Sequence, residues 1–539
     1  MAPIKLEIHS PIGNNPVAIL TGKSTRYLIG VQYRISNTFS GKKRMGIYCP
    51  EIKSIARLYE TTKDLTSPNQ KAKQINIDPN IYGTFIEVGA GQEVVRHFFR
   101  AGIASGTIAK SMSAYDKDFS DAIYGKEEDG RYVCESRLQN MIEKEYALLE
   151  ERLDRKQHKE TLFFAFADTM TTINQEKTMQ GHGWMGIRFQ LDPKKDANNV
   201  IVHLRLNDVD AKLQQETIGV IGTNLLHACF FNYEDPKQLL KSLYDNLSRD
   251  NVEIDMIKIK GPDFKQVDNR LLSLTLVKER MTDAVIFSPD GVNQQAADIL
   301  YKKNILTIRG SFRPVTKVNI NMLENGLAKF LKNPKVKKQN LQLLFEITLS
   351  NLKMEGEINE KDFLDRADIL CSLGYTVMIS NYKKYYKLIE YLSRFTSARM
   401  GLIIGVDNLL EMFDEVYYRN LNGGIMEAFG IMVTRDIKIY LYPFKPNDKA
   451  QLQNSNNIAI HPRIKPIYNY LFSNGRIEDL DYDPKVLHIF SRKVLKLIKS
   501  CKDESWEGMV PEGVAEIIKE KFPDLHITKL KIFRTNKDP

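Results

Sequence analysis

The sequence predicts a multi-domain α/β protein whose sheets are mainly parallel, doubly wound and flanked by helices. Short apolar runs alternate with helical patterns through the second half of the chain, which is typical of parallel sheet buried on both faces. In the first half, an apolar run passes through two close glycines into a helical pattern. The length of 539 residues accommodates two to four domains of ordinary size.

Residues 1–80 are predicted to form a strand-rich N-terminal section. Glycine and asparagine turns interrupt stretches rich in β-favouring residues at 27–33 and 45–48. The polar composition of residues 61–76 predicts a connection rather than a regular element.

Residues 81–250 are predicted to form an α/β domain that contains the glycine turn. The apolar residues 85–88 predict a strand, and residues 92–100 predict the helix after the turn. Apolar residues recur at helical spacing over 136–153, with charged residues between them. Further strands are predicted at residues 162–167 and 200–204.

Residues 251–445 are predicted to form a doubly wound α/β domain, and residues 446–539 a helical C-terminal region. The predicted strands cover residues 284–287, 305–308, 343–347, 376–379, 401–404 and 437–441. The predicted helices cover residues 294–302, 362–373, 384–395, 409–418, 486–498 and 514–521.

A closed (β/α) barrel is the alternative architecture for the second half, since the strands from residue 162 onward are about numerous enough to close one. We favour the open sheet because the interval between residues 202 and 285 is long and irregular.

Charge and composition limit the partners. The formal net charge of +10 is spread over the chain, and the densest basic run, residues 332–338, is typical of a solvated loop, so nucleic acid is not indicated. No apolar run has the length of a membrane span, and the first residues lack the order of an export signal. Five widely spaced cysteines without a C-x-x-C pair argue against disulfides and structural zinc. We therefore expect a cytoplasmic protein without a membrane partner.

The glycine turn is the strongest local indication of a ligand site. Gly89 and Gly91 lie between the predicted strand and helix, where exposed backbone N–H groups and the helix dipole attract anions. Arg96 adds a cation on the same helix. The sequence thus predicts that Gly89, Gly91 and Arg96 hold a phosphate or another anion.

Two catalytic candidates follow. Asp168 directly follows an apolar strand, where side chains of parallel sheets point into the ligand crevice, although aspartate also caps segments at such positions. His182 lies between two glycines and is the best general acid or base among the nine histidines, the alternative being a loop histidine in a hairpin. Arg188 is a candidate anion ligand.

A second phosphate-binding region is predicted in the second half. Arg309 and Arg313 flank a Gly-Ser pair after a strand, and guanidinium groups bind phosphate bidentately. Ser380 and Lys383 occupy the equivalent position after a later strand.

Residues 87–91 resemble the first motif of S-adenosylmethionine-dependent methyltransferases, in which an acidic residue and close glycines accommodate the methionine portion of the cofactor. Residues 113–118 follow near the position where that family places an acid for the ribose hydroxyls. Glu93 stands where a third glycine is usual. The resemblance implies S-adenosylmethionine as the cofactor.

A longer resemblance is to a bacterial family of cytoplasmic proteins, some of which carry a nicotinate-nucleotide adenylyltransferase label. Residues 489–494 and 509–518 look like the C-terminal region of those transferases, and Ser491 retains the hydroxyl that contacts ATP phosphates there. The His-x-Gly-His motif of those enzymes is missing. The resemblance implies nucleotidyl transfer and an ATP-related or NAD-related ligand.

These observations predict a protein that binds a nucleotide or phosphorylated metabolite, with transferase-type chemistry. A methyltransferase is the second interpretation, and a non-catalytic metabolite sensor or interaction scaffold is the third. Substrate, metal dependence and oligomeric state are left open.

Overall fold

The computed structural model describes residues 5–9, 17–22, 25–30 and 66–521, apart from 129, 355–356, 448 and 501–503. The chain divides into two compact units, Met1–Thr66 and Ser67–Pro539. The division into four domains stays a prediction.

The first unit contains an antiparallel sheet of three strands, in the order β1, β2, β3. The predicted strand at 27–33 overlaps the third of these, and the one at 45–48 lies outside the described residues. The strands are β1 (Lys5–His9), β2 (Val17–Gly22) and β3 (Thr25–Gly30).

The second unit contains a six-stranded sheet in the order β5-β4-β6-β7-β8-β9. Its strands are β4 (Ile81–Gly89), β5 (Ile108–Ser113), β6 (Leu162–Thr171), β7 (His182–Phe189), β8 (Asn198–Leu206) and β9 (Val252–Lys260). Strands β5, β4 and β6 are parallel, and β6 to β9 are antiparallel. No helix separates β6, β7 and β8, so these strands return as hairpins and the sheet is less parallel than predicted.

An eight-stranded sheet follows in the order β11-β10-β16-β13-β12-β17-β18-β19. Its strands are β10 (Ala284–Phe287), β11 (Asn293–Gln294), β12 (Asn304–Arg309), β13 (Leu341–Thr348), β16 (Thr376–Ser380), β17 (Met400–Gly405), β18 (Ile437–Tyr442) and β19 (Ile477–Asp479). Neighbours from β16 to β19 are parallel, and the sheet is open rather than a closed barrel. The short strands β14 (Lys353–Met354) and β15 (Glu357–Ile358) pair apart from it.

Helices flank both sheets, which confirms the predicted α/β class. In the first half they are α1 (Pro68–Asn76), α2 (Val94–Ala101), α3 (Lys117–Tyr124), α4 (Glu135–Arg152), α5 (Ala211–Phe231), α6 (Pro236–Ser242) and α7 (Asn269–Lys278). The later ones are α8 (Ala296–Leu300), α9 (Lys317–Leu331), α10 (Leu349–Leu352), α11 (Glu360–Ser372), α12 (Tyr385–Leu392), α13 (Val406–Met412), α14 (Gly424–Val433), α15 (Lys465–Ser473), α16 (Ser491–Ser500) and α17 (Val514–Lys521).

Helix α1 occupies a stretch that was predicted to be a connection, and that part of the prediction is wrong. The side chain of Ser67 accepts from the amide of Gln70 and the Gln70 side chain accepts from the amide of Ser67, which completes a capping box ahead of Pro68. Ala72 and Ile75 are fully buried against the rest of the unit.

Each large sheet has a topological switch point, where successive strands are added on opposite sides of one strand. From β4 the chain adds β5 on one side and β6 on the other, and from β12 it adds β13 on one side and β17 on the other. Ligands of open α/β sheets bind outside the carboxyl ends of the strands at such points. Among the described helices, none is long and apolar enough to cross a bilayer.

Candidate functional site

The glycine turn lies at the switch point of the first sheet, between β4 and α2. Gly89 has a φ of +77°, and a Cβ there would lie 2.2 Å from the carbonyl oxygen of Met170. A Cβ on Gly91 would lie 1.8 Å from Oδ1 of Asp168. Both positions require glycine because the turn passes directly over the end of β6.

The start of α2 is occupied by a side chain of the protein itself. Glu87 accepts hydrogen bonds from the amides of Val94 at 2.8 Å and Val95 at 3.4 Å, and the amide of Ala90 donates to Met170. These amides of the helix start and turn are those that an external anion would need. Two amides at the start of α2 are therefore already occupied by an internal carboxyl group, and the anion role of Gly89 and Gly91 stays a prediction.

Glu87 and Asp168 form a buried carboxyl pair beneath the turn. They are direct neighbours in the parallel register of β4 and β6, and they are 2% and 0% exposed. Neither oxygen of Asp168 has a hydrogen-bond partner in the described part of the chain, although the nearby amide of Val88 acts to lower its pKa.

Burial dominates the protonation of this pair. It raises the pKa of Glu87 to about 8, although the hydrogen bonds from Val94 and Val95 act in the opposite direction. Burial, and then the charge of Glu87, raise the pKa of Asp168 well above its usual range. At neutral pH the pair therefore retains at least one proton, which a nearby cation would displace.

His182 lies at the start of β7 and contacts a second buried histidine. Nδ1 of His182 is 3.4 Å from Nε2 of His203, and Nδ1 of His203 is 2.5 Å from a carboxylate oxygen of Asp255. The amide nitrogen of Gln295 donates to Nε2 of His203 at 3.0 Å. Nε2 of His182 makes no hydrogen bond within the described residues, so the chain Asp255–His203–His182 ends in an available ring nitrogen.

Burial and neighbouring charges set the protonation of His182 and Asp255 in this series of hydrogen-bonded side chains. Burial, then His203 and Arg205, lower the pKa of His182 to about 4, so its imidazole is neutral at physiological pH. Burial alone would raise the pKa of Asp255, but His203 and Arg205 outweigh this effect and hold the pKa well below its usual range. Nε of Arg205 donates to Asp255 at 2.8 Å, which fixes the carboxylate.

The two catalytic candidates share an edge of the sheet but not a face. Asp168 points to the same side of β6 as Phe166, whereas His182 points to the side of Trp184 and His203, because side chains alternate along strands. Gly89, Met170 and Gly183 are neighbours across three strands. His182 therefore lies about two strand spacings, roughly 10 Å, from the glycine turn.

Arg96 and Arg188 do not join the glycine turn. Arg96 forms an exposed ion pair with Glu93 at 2.7 Å. Arg188 lies over the ring of Tyr146 and donates to Asn199, near the other end of β7 and about 20 Å along the strand from His182. Arg188 therefore lies away from the turn, whereas Arg96, in the first turn of α2, is already paired with Glu93.

In the second sheet, Arg309 and Ser380 come together, but around a carboxylate. Arg309 donates to Glu346 through Nε at 2.7 Å and Nη2 at 2.8 Å, and the Ser380 hydroxyl donates to the same carboxylate at 2.6 Å. Glu346 is fully buried. The phosphate role of Arg309 and Ser380 stays a prediction, and the guanidinium of Arg309 already has an internal carboxylate partner.

Lys383 and Arg313 also lie apart from a common anion site. The backbone carbonyl of Lys383 accepts from Arg309 at 3.5 Å, and its side chain is exposed. Arg313 pairs with Asp362 at 2.7 Å and lines a largely apolar cavity of about 270 Å³ beside α11 and α16. The four residues predicted to bind one phosphate are thus divided between two places.

Sequence reasoning missed the carboxylates that complete these clusters. Glu346 stands inside an apolar strand and Asp255 inside β9, where a buried acid signals a paired partner. The interval that contains β9 looked irregular because Glu253 and Asp255 interrupt its apolar residues. The partners come from β8, β12 and β16, so the sequence alone could not identify them.

The fold defines an α/β protein with two open sheets. No protein-family model and no curated protein matches the chain. Among solved structures, it is similar in part to the competence/damage inducible protein CihA from Agrobacterium tumefaciens, at 16% identity over 30% of this chain and 94% of that chain, with a TM-score of 0.22.

Two further structures show a likeness of the same extent. The CinA superfamily protein from Enterobacter cloacae matches at 10% identity over 36% of this chain and 99% of that chain, with a TM-score of 0.22. The competence or damage-inducible protein from Enterobacter asburiae matches at 10% identity over 30% of this chain and 98% of that chain, with a TM-score of 0.21. These likenesses are too slight to bear on ligand or activity.

Proposed function

We propose that the protein is a transferase that binds S-adenosylmethionine at the carboxyl edge of the first sheet. The observation that carries the proposal is the buried carboxyl pair, Glu87 and Asp168, beneath a glycine turn at a topological switch point. The resemblance of residues 87–91 to the first methyltransferase motif supports the same cofactor.

Charge favours this cofactor over a phosphorylated nucleotide. The amides that start α2 already bind Glu87, so they are not available to a phosphate, and a phosphate gains no attraction from the carboxyl pair beneath the turn. The sulfonium of S-adenosylmethionine carries a positive charge, which would stabilise the ionised forms of Glu87 and Asp168. Nucleotidyl transfer is the weaker candidate, because Arg96, Arg188, Arg309 and Arg313 lie away from the turn or already have carboxylate partners.

In the proposed reaction, the methyl group leaves the sulfonium and bonds to a nucleophilic atom of the acceptor, while the sulfur keeps the electron pair of the broken bond. The acceptor atom loses a proton, which reaches Nε2 of neutral His182 through bridging water, since His182 lies roughly 10 Å from the turn. His203 and Asp255 orient the imidazole for this step.

Thermal unfolding in the presence of candidate ligands tests the proposal. S-adenosylmethionine is expected to raise the unfolding temperature, whereas ATP, NAD and nicotinate mononucleotide leave it unchanged. A ligand at 100 times its Kd stabilises the folded state by about 2.7 kcal/mol. Stabilisation by one of the phosphorylated ligands, without an effect of S-adenosylmethionine, would overturn the proposal.

A matched pair of variants locates the effect. Glu87→Gln keeps an oxygen that can cap α2 but removes the charge, and we expect it to weaken binding of S-adenosylmethionine at least tenfold. Glu93→Gln removes a neighbouring partly exposed carboxylate, paired with Arg96, and serves as the control. If both variants bind S-adenosylmethionine with equal affinity, the carboxyl pair does not contribute to binding of the cofactor.

A further inference from the structure

A groove of about 790 Å³ lies at the carboxyl edge of the second sheet. Its walls come from residues 410–425, which follow β17 through α13, and from residues 459–464, which follow β18. These strands are parallel neighbours, and ligands of open sheets bind outside such carboxyl ends. The volume is that of a small-molecule site. All of its walls come from segments that connect strands of the second sheet, so the groove is separate from the glycine turn.

The floor of the groove is apolar and firmly packed. Phe413, Tyr418, Ile425 and Ile464 line it and are nearly fully buried. The ring of Phe413 stacks on Phe429 with centroids 4.9 Å apart, and the hydroxyl of Tyr418 donates to a backbone carbonyl at 2.7 Å. A flat apolar group placed here would meet preformed contacts.

The rim carries an arginine and a histidine whose side chains have no partner among the described residues. Arg419 and His461 line the groove, and their side chains make no ion pair or hydrogen bond within the described residues. The rim acids are engaged: Asp414 accepts from the amide of Val416 at 3.0 Å, and Glu415 lies 3.6 Å from Arg463. The guanidinium of Arg419 is therefore left available to bind an anion.

We propose that this groove binds a small ligand that has a flat apolar body and one anionic head group, a carboxylate or a phosphate. Phe413 and Tyr418 pack against the body. Arg419 pairs with the head group, and His461 donates a hydrogen bond to it.

Ligand-observed NMR titrations of the full chain test this proposal with four simple probes. Benzoate and phenyl phosphate combine both features, benzylamine replaces the anion by a cation, and inorganic phosphate lacks the apolar body. We expect benzoate or phenyl phosphate to bind at least fivefold more tightly than benzylamine and inorganic phosphate. A preference between the two aromatic anions identifies the head group.

Variants at the rim locate the binding. Arg419→Gln should weaken the preferred aromatic anion at least fivefold, and Ala459→Trp, at an exposed rim position, should block it by filling the groove. Arg100→Gln changes an exposed arginine on α2 and serves as the control. The proposal would be overturned if benzylamine bound as tightly as the aromatic anions. It would also be overturned if Arg419→Gln and Ala459→Trp both left the affinity for the preferred aromatic anion unchanged.

Discussion

Glu87 and Asp168 bring two carboxyl groups together in the buried interior of the first sheet. Neighbouring strands hold them in register, and burial raises both pKa values. Buried acids without a cationic partner are costly to ionise, so their presence beneath a turn requires a reason beyond packing. A positively charged cofactor above the turn supplies one.

The pair makes stability depend on pH. Glu87 ionises near 4.5 in an unfolded chain and near 8 in the folded protein, so the folded state holds more protons between these values. The free energy of unfolding should therefore fall as pH rises through this window. Urea unfolding at pH 5, 7 and 9 measures the effect. Glu87→Gln should lose this part of the pH dependence; an identical slope in the variant would contradict the account.

Gly91 is expected to tolerate no side chain. A Cβ would meet Asp168 at 1.8 Å, and Asp168 is fully buried. Gly91→Ala should lower the free energy of unfolding by about 1–3 kcal/mol. Gly430→Ala is the matched control, since a Cβ there meets nothing within 4 Å inside α14, and it should stabilise. Equal effects of the two substitutions would refute the close packing.

His182 should remain neutral across the physiological range. Burial and the neighbouring His203 and Arg205 lower its pKa to about 4. NMR titration of the histidine rings should show no transition for His182 between pH 5.5 and 8. A midpoint near 6.5 would mean that the imidazole is solvated and does not belong to the chain with His203 and Asp255.

Among the elements, strands of the second sheet were the easiest to predict. Strands β10, β12, β13, β16, β17 and β18 are short apolar runs buried on both faces, so hydrophobicity alone marks them. Strand β7 was not predicted, and the direction of β8 was harder to predict, because direction depends on whether a connection contains a helix. The glycine-rich stretch at 181–186 lies within or directly before β7, where glycines avoid clashes with neighbouring strands.

Helix α1 shows a local signal that polar composition concealed. Its capping box joins Ser67 and Gln70, and Pro68 occupies the first turn. Ser67→Ala should lower the free energy of unfolding by about 1 kcal/mol, as chemical denaturation would measure. Ser397→Ala, at an exposed serine without a capping role, should have little effect. A loss of stability in Ser397→Ala as large as in Ser67→Ala would argue against the cap.

The candidate sites were only partly predictable, because each depends on partners distant in sequence. Gly89, Gly91 and Asp168 do meet at one switch point, as their positions after strands suggested. Arg309 and Ser380 also meet, yet the buried Glu346 between them cancels the positive charge that was expected to bind phosphate. A pattern of arginines after strands indicates a cluster but does not show which charge remains unpaired.

Across the whole molecule, polar residues join the two large sheets. His203, Arg205 and Asp255 lie on the first sheet, while Gln295 contacts His203 and Phe395 lies against Arg205 from the second. The hydrogen-bonded side chains that lead to His182 therefore depend on the packing of both sheets. The two proposed ligand sites remain separate, each at the carboxyl edge of its own sheet.

Calorimetry of S-adenosylmethionine binding at pH 7 in two buffers with different ionisation enthalpies tests the role of the carboxyl pair most directly. A sulfonium above Glu87 and Asp168 should displace a proton, so the observed heats should differ between buffers, and Glu87→Gln should reduce that difference. Binding without proton release, or no binding of S-adenosylmethionine while ATP binds, would contradict the account.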